Sequence, residues 1–154
     1  HVMEHVTDPR SVLAEVRRLL KPGGRLVLQV PNIESWQFRI FGVSWYGLDV
    51  PRHVINYSSL AMNTLLTASG FNVRRTRHFN MRDNAPALAS SAFPSLDPVS
   101  RSVRQRRRNE KEPFPLAWLK HGVYLGVVLA AYPFAIAESI AGRGATIMIE
   151  AEKA

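Results

Sequence analysis

Two neighbouring side chains near the start of the chain are able to take part in proton transfer. Glu4 directly precedes His5. An imidazole titrates near neutral pH, so His5 is a candidate general base, and Glu4 is a candidate for orienting a hydroxyl group of a bound molecule. The same pair also suits a surface position that leads into the next helix. Both interpretations stay open, and we predict Glu4 and His5 as candidate catalytic residues.

A second polar group lies on the stretch 49–53, which contains Asp49, Arg52 and His53. A guanidinium group binds planar anions through two parallel hydrogen bonds, so this group suits the polar or anionic head of a substrate. Alternatively, Arg52 pairs with Asp49 and only makes the loop rigid. The two interpretations carry equal weight in the sequence.

The connection around these residues, 32–56, is long and rich in aromatic side chains. Long connections in compact domains are usually functional or disordered, and this aromatic content argues against disorder. Trp36, Trp45 and Tyr46 are therefore predicted either to belong to the core or to cover an apolar acceptor molecule. We predict six substrate-binding residues: Trp36, Trp45, Tyr46, Asp49, Arg52 and His53.

The elements that must position these residues follow an α/β pattern. Thr7 or Asp8 before Pro9 predicts a helix start, and apolar residues at helical spacing continue to Leu20. The Lys-Pro-Gly-Gly turn at 21–24 ends that helix. The apolar run 25–30 then predicts a buried strand of a parallel sheet.

Further elements follow the aromatic connection. A second helix is predicted over 58–69 and is stopped by Gly70, and a strand near a sheet edge is predicted over 71–79 because arginines interrupt its pattern. A last strand is predicted over 145–151.

The remaining segments differ sharply in composition. Residues 81–113 contain prolines, serines and a cluster of arginines, which predicts a basic linker that is partly mobile. Residues 114–142 are strongly apolar and are predicted to form one or two helices kinked at Pro133. The segment is slightly short for a membrane span. It is either buried, or interfacial with the arginines facing anionic lipid.

Composition limits the classes of function. The chain has 154 residues, which is enough for one packed domain, and it has no cysteine, which excludes disulfides and Cys-ligated metal sites. Its net charge of +8 attracts anionic partners but is also compatible with a solvated basic face. The first residues do not resemble a signal peptide.

An ordered set of motifs resembles one known family. The motifs are HVMEHVTDP (1–9), LLKPGG (19–24), VPN (30–32), WYGLDVPRH (45–53), YSS (57–59) and SGF (69–71). Together they resemble the second half of the class I S-adenosylmethionine-dependent methyltransferases, especially the branch of ubiquinone and menaquinone biosynthesis. The resemblance covers about residues 1–80.

The resemblance implies a Rossmann-like doubly wound α/β sheet. In this family a glycine-rich loop after the first strand holds S-adenosylmethionine, and an acidic residue follows the second strand. Neither feature is in this sequence, because Gly142 and Gly144 precede a strand and do not open a helix. We therefore expect the carboxyl-terminal half of such an enzyme, without the amino-terminal strands. The chain alone is expected to bind the cofactor weakly or not at all.

The resemblance also bears on metal binding. Quinone methyltransferases of this kind have a Glu, Glu, His metal site, and His1 stands where that pattern has its first Glu. Glu4 and His5 match the other two positions. Because of this departure we predict no metal site.

The resulting organisation has four parts: a methyltransferase α/β half (1–80), a basic linker (81–113), an apolar helical segment (114–142) and a final strand (143–154). The predicted function is S-adenosylmethionine-dependent methylation of a small-molecule or lipid-linked acceptor by the parent enzyme, in the cytoplasm or peripherally on a membrane. The alternative is a noncatalytic membrane-association or partner-binding module. Nucleic-acid binding is not expected, since no recognition element accompanies the arginines. Homo-oligomers through an exposed sheet edge are expected.

Overall fold

The computed structural model describes residues 1–108 and 113–154. A 3₁₀ turn, Met3–His5, is followed by α1 (Pro9–Leu19), β1 (Arg25–Pro31), α2 (Trp36–Phe41) and α3 (Ser59–Ala68). Then come β2 (Phe71–Arg77), α4 (Asn84–Ala92), α5 (Pro98–Arg108), α6 (Phe114–Ile140) and β3 (Thr146–Lys153). The predicted mixed α/β fold, with an apolar helix before the last strand, is confirmed.

The three described strands form one sheet in the order β1-β3-β2. β3 is antiparallel to both neighbours, with Val30 opposite Ile147 and Leu28 opposite Ile149. The parallel neighbour that we predicted for β1 is therefore not found in the described part of the chain. The strand is also less buried than predicted, since Val27 is 59% exposed and only the last two residues of β1 are buried. An apolar run does not report the direction of the adjacent strand, which here is set by the return of the chain after α6. β2 lies at an edge of the sheet, as predicted.

Side-chain caps fix where the first helices begin. The Asp8 carboxylate accepts a hydrogen bond from the Ser11 amide at 3.2 Å, and Ser58 caps α3 by accepting from the Ala61 amide. Each cap satisfies an amide that has no partner within its helix. The predicted starts and ends of α1 and α3 are confirmed to within about two residues.

The core consists of two clusters. One lies between the sheet and the helices α1 and α3, and its fully buried members include Leu13, Met62, Leu66, Phe71, Ile147 and Ile149. The other joins α4 to α6 and consists of Ala85, Ala89, Val128, Ala131 and Ala135. Small side chains let these two helix backbones approach closely. The second cluster therefore attaches the apolar helix to the domain.

The predicted linker at 81–113 is wrong over most of its length, because residues 84–92 and 98–108 form α4 and α5. Pro86 and Pro98 lie in the first turns of these helices, where a missing amide hydrogen costs nothing. The α4 residues Ala85 and Ala89 are buried against α6. Residues 109–112 of the predicted linker lie outside the described part of the chain.

A buried carboxyl group connects α6 to the rest of the fold. Glu138 is fully buried, and its Oε1 accepts hydrogen bonds from Gln37 Nε2 at 2.6 Å and from the Ala145 amide at 3.3 Å. Glu138 Oε2 and Gln37 Oε1 have no hydrogen-bond partner among the described residues. Burial raises the pKa of Glu138 to about 7. The protonated form of Glu138 suits this site, because a proton on Oε2 supplies the hydrogen-bond donor that the two unpaired oxygens lack.

The raised pKa of Glu138 predicts how the free energy of unfolding depends on pH. Because its folded pKa of about 7 lies above the ordinary 4.5, its favourable contribution is present in full below pH 4.5 and is lost as pH rises through 7. We expect the free energy of unfolding to fall by about 3 kcal/mol over that window. In Glu138→Gln this loss should disappear, as measured by urea unfolding at a series of pH values. The exposed control Glu34→Gln should keep the wild-type profile, and an unchanged profile in Glu138→Gln would refute the assignment.

Candidate functional site

A cavity of about 460 Å³ lies where the Met3–His5 turn meets the loop 45–53, the helix α4 and the beginning of α5. Tyr124 of α6 closes part of its wall. The cavity brings together seven of the eight residues predicted from the sequence: Glu4, His5, Trp45, Tyr46, Asp49, Arg52 and His53.

Backbone hydrogen bonds hold the two predicted polar groups side by side. The Glu4 carbonyl accepts from the Val54 amide at 2.8 Å and from the Ile55 amide at 3.2 Å. The Tyr57 hydroxyl donates to the Met3 carbonyl at 3.3 Å. As a result, the rings of His5 and His53, which are distant in sequence, have centroids 4.8 Å apart in an edge-on arrangement.

The hydrogen bonds of these two imidazoles favour one tautomer in each ring. His5 Nδ1 lies 2.8 Å from the Arg52 carbonyl oxygen, and His53 Nδ1 lies 2.9 Å from the Gly47 carbonyl oxygen. A carbonyl oxygen only accepts, so each Nδ1 carries the hydrogen. The Nε2 atom of each neutral ring is then left with a lone pair that is able to take a proton or bind a cation.

Glu4 is a buried carboxylate next to this pair, with an exposed fraction of only 1%. Burial alone would raise the pKa of Glu4, but the hydrogen bond from His1 and its own backbone amide outweigh burial and hold that pKa below its usual range. His1 Nδ1 lies 2.9 Å from Glu4 Oε1, and Oε2 has no hydrogen-bond partner among the described residues. Glu4 is therefore ionised at neutral pH and has one oxygen available.

His1 joins Glu4 to a second carboxylate. His1 Nε2 lies 3.1 Å from Asp83 Oδ2. The hydrogen bond with Asp83, followed by the one with Glu4, raises the pKa of His1 to about 9. A protonated imidazole thus neutralises part of the negative charge at this end of the cavity.

A metal ion would also fit between Glu4, His5 and His53. One possible ligand atom of each lies within 4.8 Å of the others. Metal-bound histidines usually donate their other ring hydrogen to a backbone carbonyl, as both rings do here. The cationic His1 beside Glu4 opposes the approach of another cation. The absence of a metal site stays a prediction from the sequence.

The loop 49–53 is rigid as well as polar. Arg52 Nε lies 3.2 Å from Asp49 Oδ2, and the Asp49 carbonyl accepts from the amides of Arg52 and His53 at 2.8 and 3.1 Å. The Asp49 backbone is left-handed, with φ of 37°, a region in which Asp is more common than most residues. The ion pair and the cavity position occur together, so the two interpretations of Asp49 and Arg52 are compatible.

The aromatic residues divide into two groups. Trp45 is buried and packs edge-on against Phe38, while Tyr46 is partly exposed and its amide donates to Ser91 Oγ at 2.9 Å. Trp36 is not part of the cavity wall; its ring packs against Phe134 of α6, with the centroids 6.1 Å apart. The substrate-binding role predicted for Trp36 therefore has no support in the geometry.

Several cavity residues were missed because they lie in the segment that composition marked as a linker. Asp83 binds His1, and Ser90 Oγ contacts both Asp97 Oδ1 and the Tyr124 hydroxyl at 2.9 Å. Burial, followed by the charge of Asp97, raises the pKa of Tyr46. The apolar spacing of the α4 alanines was the one signal that indicated a packed helix here.

Gly47, which lines the cavity, and Gly144, which precedes the lining residue Ala145, do not form a cradle for a nucleoside cofactor. A Cβ atom added to Gly47 would lie 2.4 Å from the Trp45 ring, and one added to Gly144 would lie 1.8 Å from the His78 carbonyl oxygen. Both glycines serve close packing within the chain. Among the described residues, the cavity has no glycine-rich loop that opens a helix.

Comparison with known proteins gives a family match for the amino-terminal part of the chain. Residues 1–76 match the family model described as a methyltransferase domain. The match covers 76 of the 154 residues of the chain. A 34-residue stretch is 56% identical to an uncharacterized 37.1 kDa protein in transposon TN4556 of Streptomyces fradiae, which covers 22% of this chain and 10% of that protein.

Two solved structures resemble this chain over 99% of its length, each at 17% identity. They are the (4+2)-cyclase SpnF, with a TM-score of 0.49, and phosphoethanolamine N-methyltransferase 2 of Haemonchus contortus in complex with phosphomonomethylethanolamine and S-adenosylhomocysteine, with a TM-score of 0.42. The chain spans 47% and 32% of their respective lengths.

The raised pKa of His1 can be tested by removal of one neighbouring carboxylate. In Asp83→Asn, the largest contribution to the raised pKa of His1 is removed, so this pKa should fall from about 9 toward 6.5. NMR titration of the imidazole resonances measures it. Glu34→Gln, which removes an exposed carboxylate bound to Arg143, should leave the His1 titration unchanged. A His1 pKa that stays near 9 without the Asp83 carboxylate would contradict the described contacts.

Proposed function

We propose that this chain is the acceptor-binding part of an S-adenosylmethionine-dependent methyltransferase, acting on a small-molecule or lipid-linked acceptor. The methyltransferase-domain match over residues 1–76 supports the reaction class. The observation that carries the proposal for the site is the convergence of His5, His53 and Glu4 on one cavity beside the aromatic loop. The motifs from His1 to Phe71 further support the quinone-biosynthesis branch.

In this proposal the cofactor is held mainly by residues outside this chain. The glycines that border the cavity and its neighbourhood are used for packing, so nothing described here cradles the nucleoside. The isolated chain is then expected to be inactive. Methyl transfer from a sulfonium needs chiefly the alignment of its reactants, so the contribution of this chain is to place the acceptor.

The residues of the chain have distinct roles in placing that acceptor. His5 Nε2 accepts the proton that the acceptor atom loses, because its Nδ1 is occupied by the Arg52 carbonyl. The Gly47 carbonyl likewise accepts a hydrogen bond from His53 Nδ1 and fixes that ring. His53 then orients the acceptor from the side of the cavity that faces His5. Arg52 and Asp49 form the polar rim, and Trp45 and Tyr46 provide apolar surface for the body of the molecule.

The test uses the protein that contains this chain together with its cofactor-binding segment. Methyl-labelled S-adenosylmethionine is supplied with a panel of soluble and lipid-linked hydroxylated acceptors. His5→Gln should lower kcat roughly a hundredfold to ten-thousandfold on the acceptor that is methylated, because the proton acceptor is lost.

The matched control is His121→Gln. His121 is an exposed histidine of α6 whose Nδ1 also lies near a backbone carbonyl, that of Ala117, at 2.6 Å. This variant should retain wild-type kcat. Retention of activity within about twofold by His5→Gln would remove the general-base assignment, and transfer to no acceptor on the panel by the wild-type protein would remove the proposed function.

A further inference from the structure

The amino-terminal half of α6 presents a large apolar surface. Its side chains include Phe114, Trp118 and Leu119, which are 75%, 65% and 64% exposed, and Leu125 and Leu129, which are both more than half exposed. Soluble monomers rarely expose so many large apolar side chains in one contiguous region. The helix has 27 residues and is long and apolar enough to cross a membrane, yet only 22% of its most apolar stretch is buried.

The same helix is attached to the domain along a narrow stripe. Val128, Ala131 and Ala135 pack against α4. The Tyr132 hydroxyl donates to the Met81 carbonyl at 2.9 Å, and Ser139 Oγ donates to the His78 carbonyl at 2.9 Å. A helix held to the domain in this way, and followed at once by β3 of the central sheet, lies beside the domain and does not cross a bilayer.

The charged side chains of α5, which precedes this surface in the chain, are all positive. Arg104, Arg106 and Arg107 are exposed residues of α5, and α5 itself contains no acidic residue. Residues 109–113 are the only ones between α5 and α6, so the last turn of α5 and the first turn of α6 are at most about 20 Å apart. The one carboxylate of α6, Glu138, is buried.

We propose that the exposed side of α6, together with the α5 arginines, docks the protein on an anionic lipid bilayer. The apolar side chains enter the interface between headgroups and acyl chains, and the guanidinium groups bind the lipid phosphates. A protein partner is less suitable, because the surface combines a long apolar helix with excess positive charge.

The position of the cavity agrees with this docking mode. Pro98 and Val99 line the cavity that holds His5 and His53 and also a groove of about 320 Å³ that runs along α5 past Val103. Tyr124, on α6, borders the same cavity. An acceptor with an apolar tail could therefore reach the cavity along α5 from a bound membrane. This last step rests on the proposed function, while the docking does not.

The docking is tested by flotation of the full chain with phosphatidylcholine vesicles, with and without phosphatidylglycerol. Binding is expected to the anionic vesicles and should weaken steeply as salt increases. Leu119→Glu should weaken binding about fivefold or more, whereas Leu60→Glu, at a 73% exposed leucine of α3, should bind normally. Arg107→Glu should weaken binding by a similar factor, and the exposed control Arg39→Glu should not.

Tryptophan fluorescence provides an independent readout that needs no enzymatic activity. Addition of anionic vesicles should shift the emission of the chain to shorter wavelength, and Trp118→Phe should abolish the shift. Absence of vesicle binding by the full chain, or equal loss in Leu119→Glu and Leu60→Glu, would overturn the proposal. So would a stable dimer in solution that Leu119→Glu converts to a monomer, because this surface would then be a contact between copies.

Discussion

The site depends on one backbone contact, in which the Glu4 carbonyl accepts hydrogen bonds from the amides of Val54 and Ile55. This contact fixes the Met3–His5 turn against the end of the aromatic loop. Without it, His5 and His53 would belong to separate surface segments. With it, two imidazoles and a buried carboxylate face one cavity, and each ring is held by a hydrogen bond to a different carbonyl of the same loop.

The electrostatics of the cavity follow from that arrangement. Burial would favour the neutral form of Glu4, and the protonated His1 between Glu4 and Asp83 outweighs it. The result is a cavity lined both by charged groups and by the aromatic side chains of Trp45 and Tyr46. In the proposed function, such a cavity holds an amphiphilic acceptor in one orientation, as transfer of a group to a single atom requires. Tyr124 of α6 borders the cavity, whereas the exposed apolar side chains of α6 form the proposed docking surface. The two surfaces are therefore separate.

The sequence allowed much of the fold and the site to be predicted, for identifiable reasons. Asp8, Pro9 and Ser58 specify helix starts through local hydrogen bonds, and Gly70 specifies a helix end, so α1 and α3 were predicted within about two residues. Glu4 and His5 were named because few residue types carry proton-transfer chemistry, and Asp49, Arg52 and His53 were named because this group suits a polar or anionic substrate head. The resemblance to methyltransferases gave the reaction class, and the match over residues 1–76 supports it.

The parts that were not predicted depend on tertiary contacts. α4 and α5 resembled a linker because their prolines and serines were read without the packing partner that buries the α4 alanines. The antiparallel neighbour of β1 comes from β3, more than a hundred residues later, so no local pattern reports it. Trp36 was assigned to the site by residue type alone, and its contact with Phe134 lies outside the reach of any motif.

The central claim is that the cavity bounded by His5 and His53 holds the methyl acceptor. The most direct measurement is a crystal structure of the protein that contains this chain, bound to S-adenosylhomocysteine and its methylated product. The account predicts that the methylated atom lies within reach of His5 Nε2, with the body of the product against Trp45 and Tyr46. A product bound elsewhere, with this cavity filled only by solvent, would contradict it.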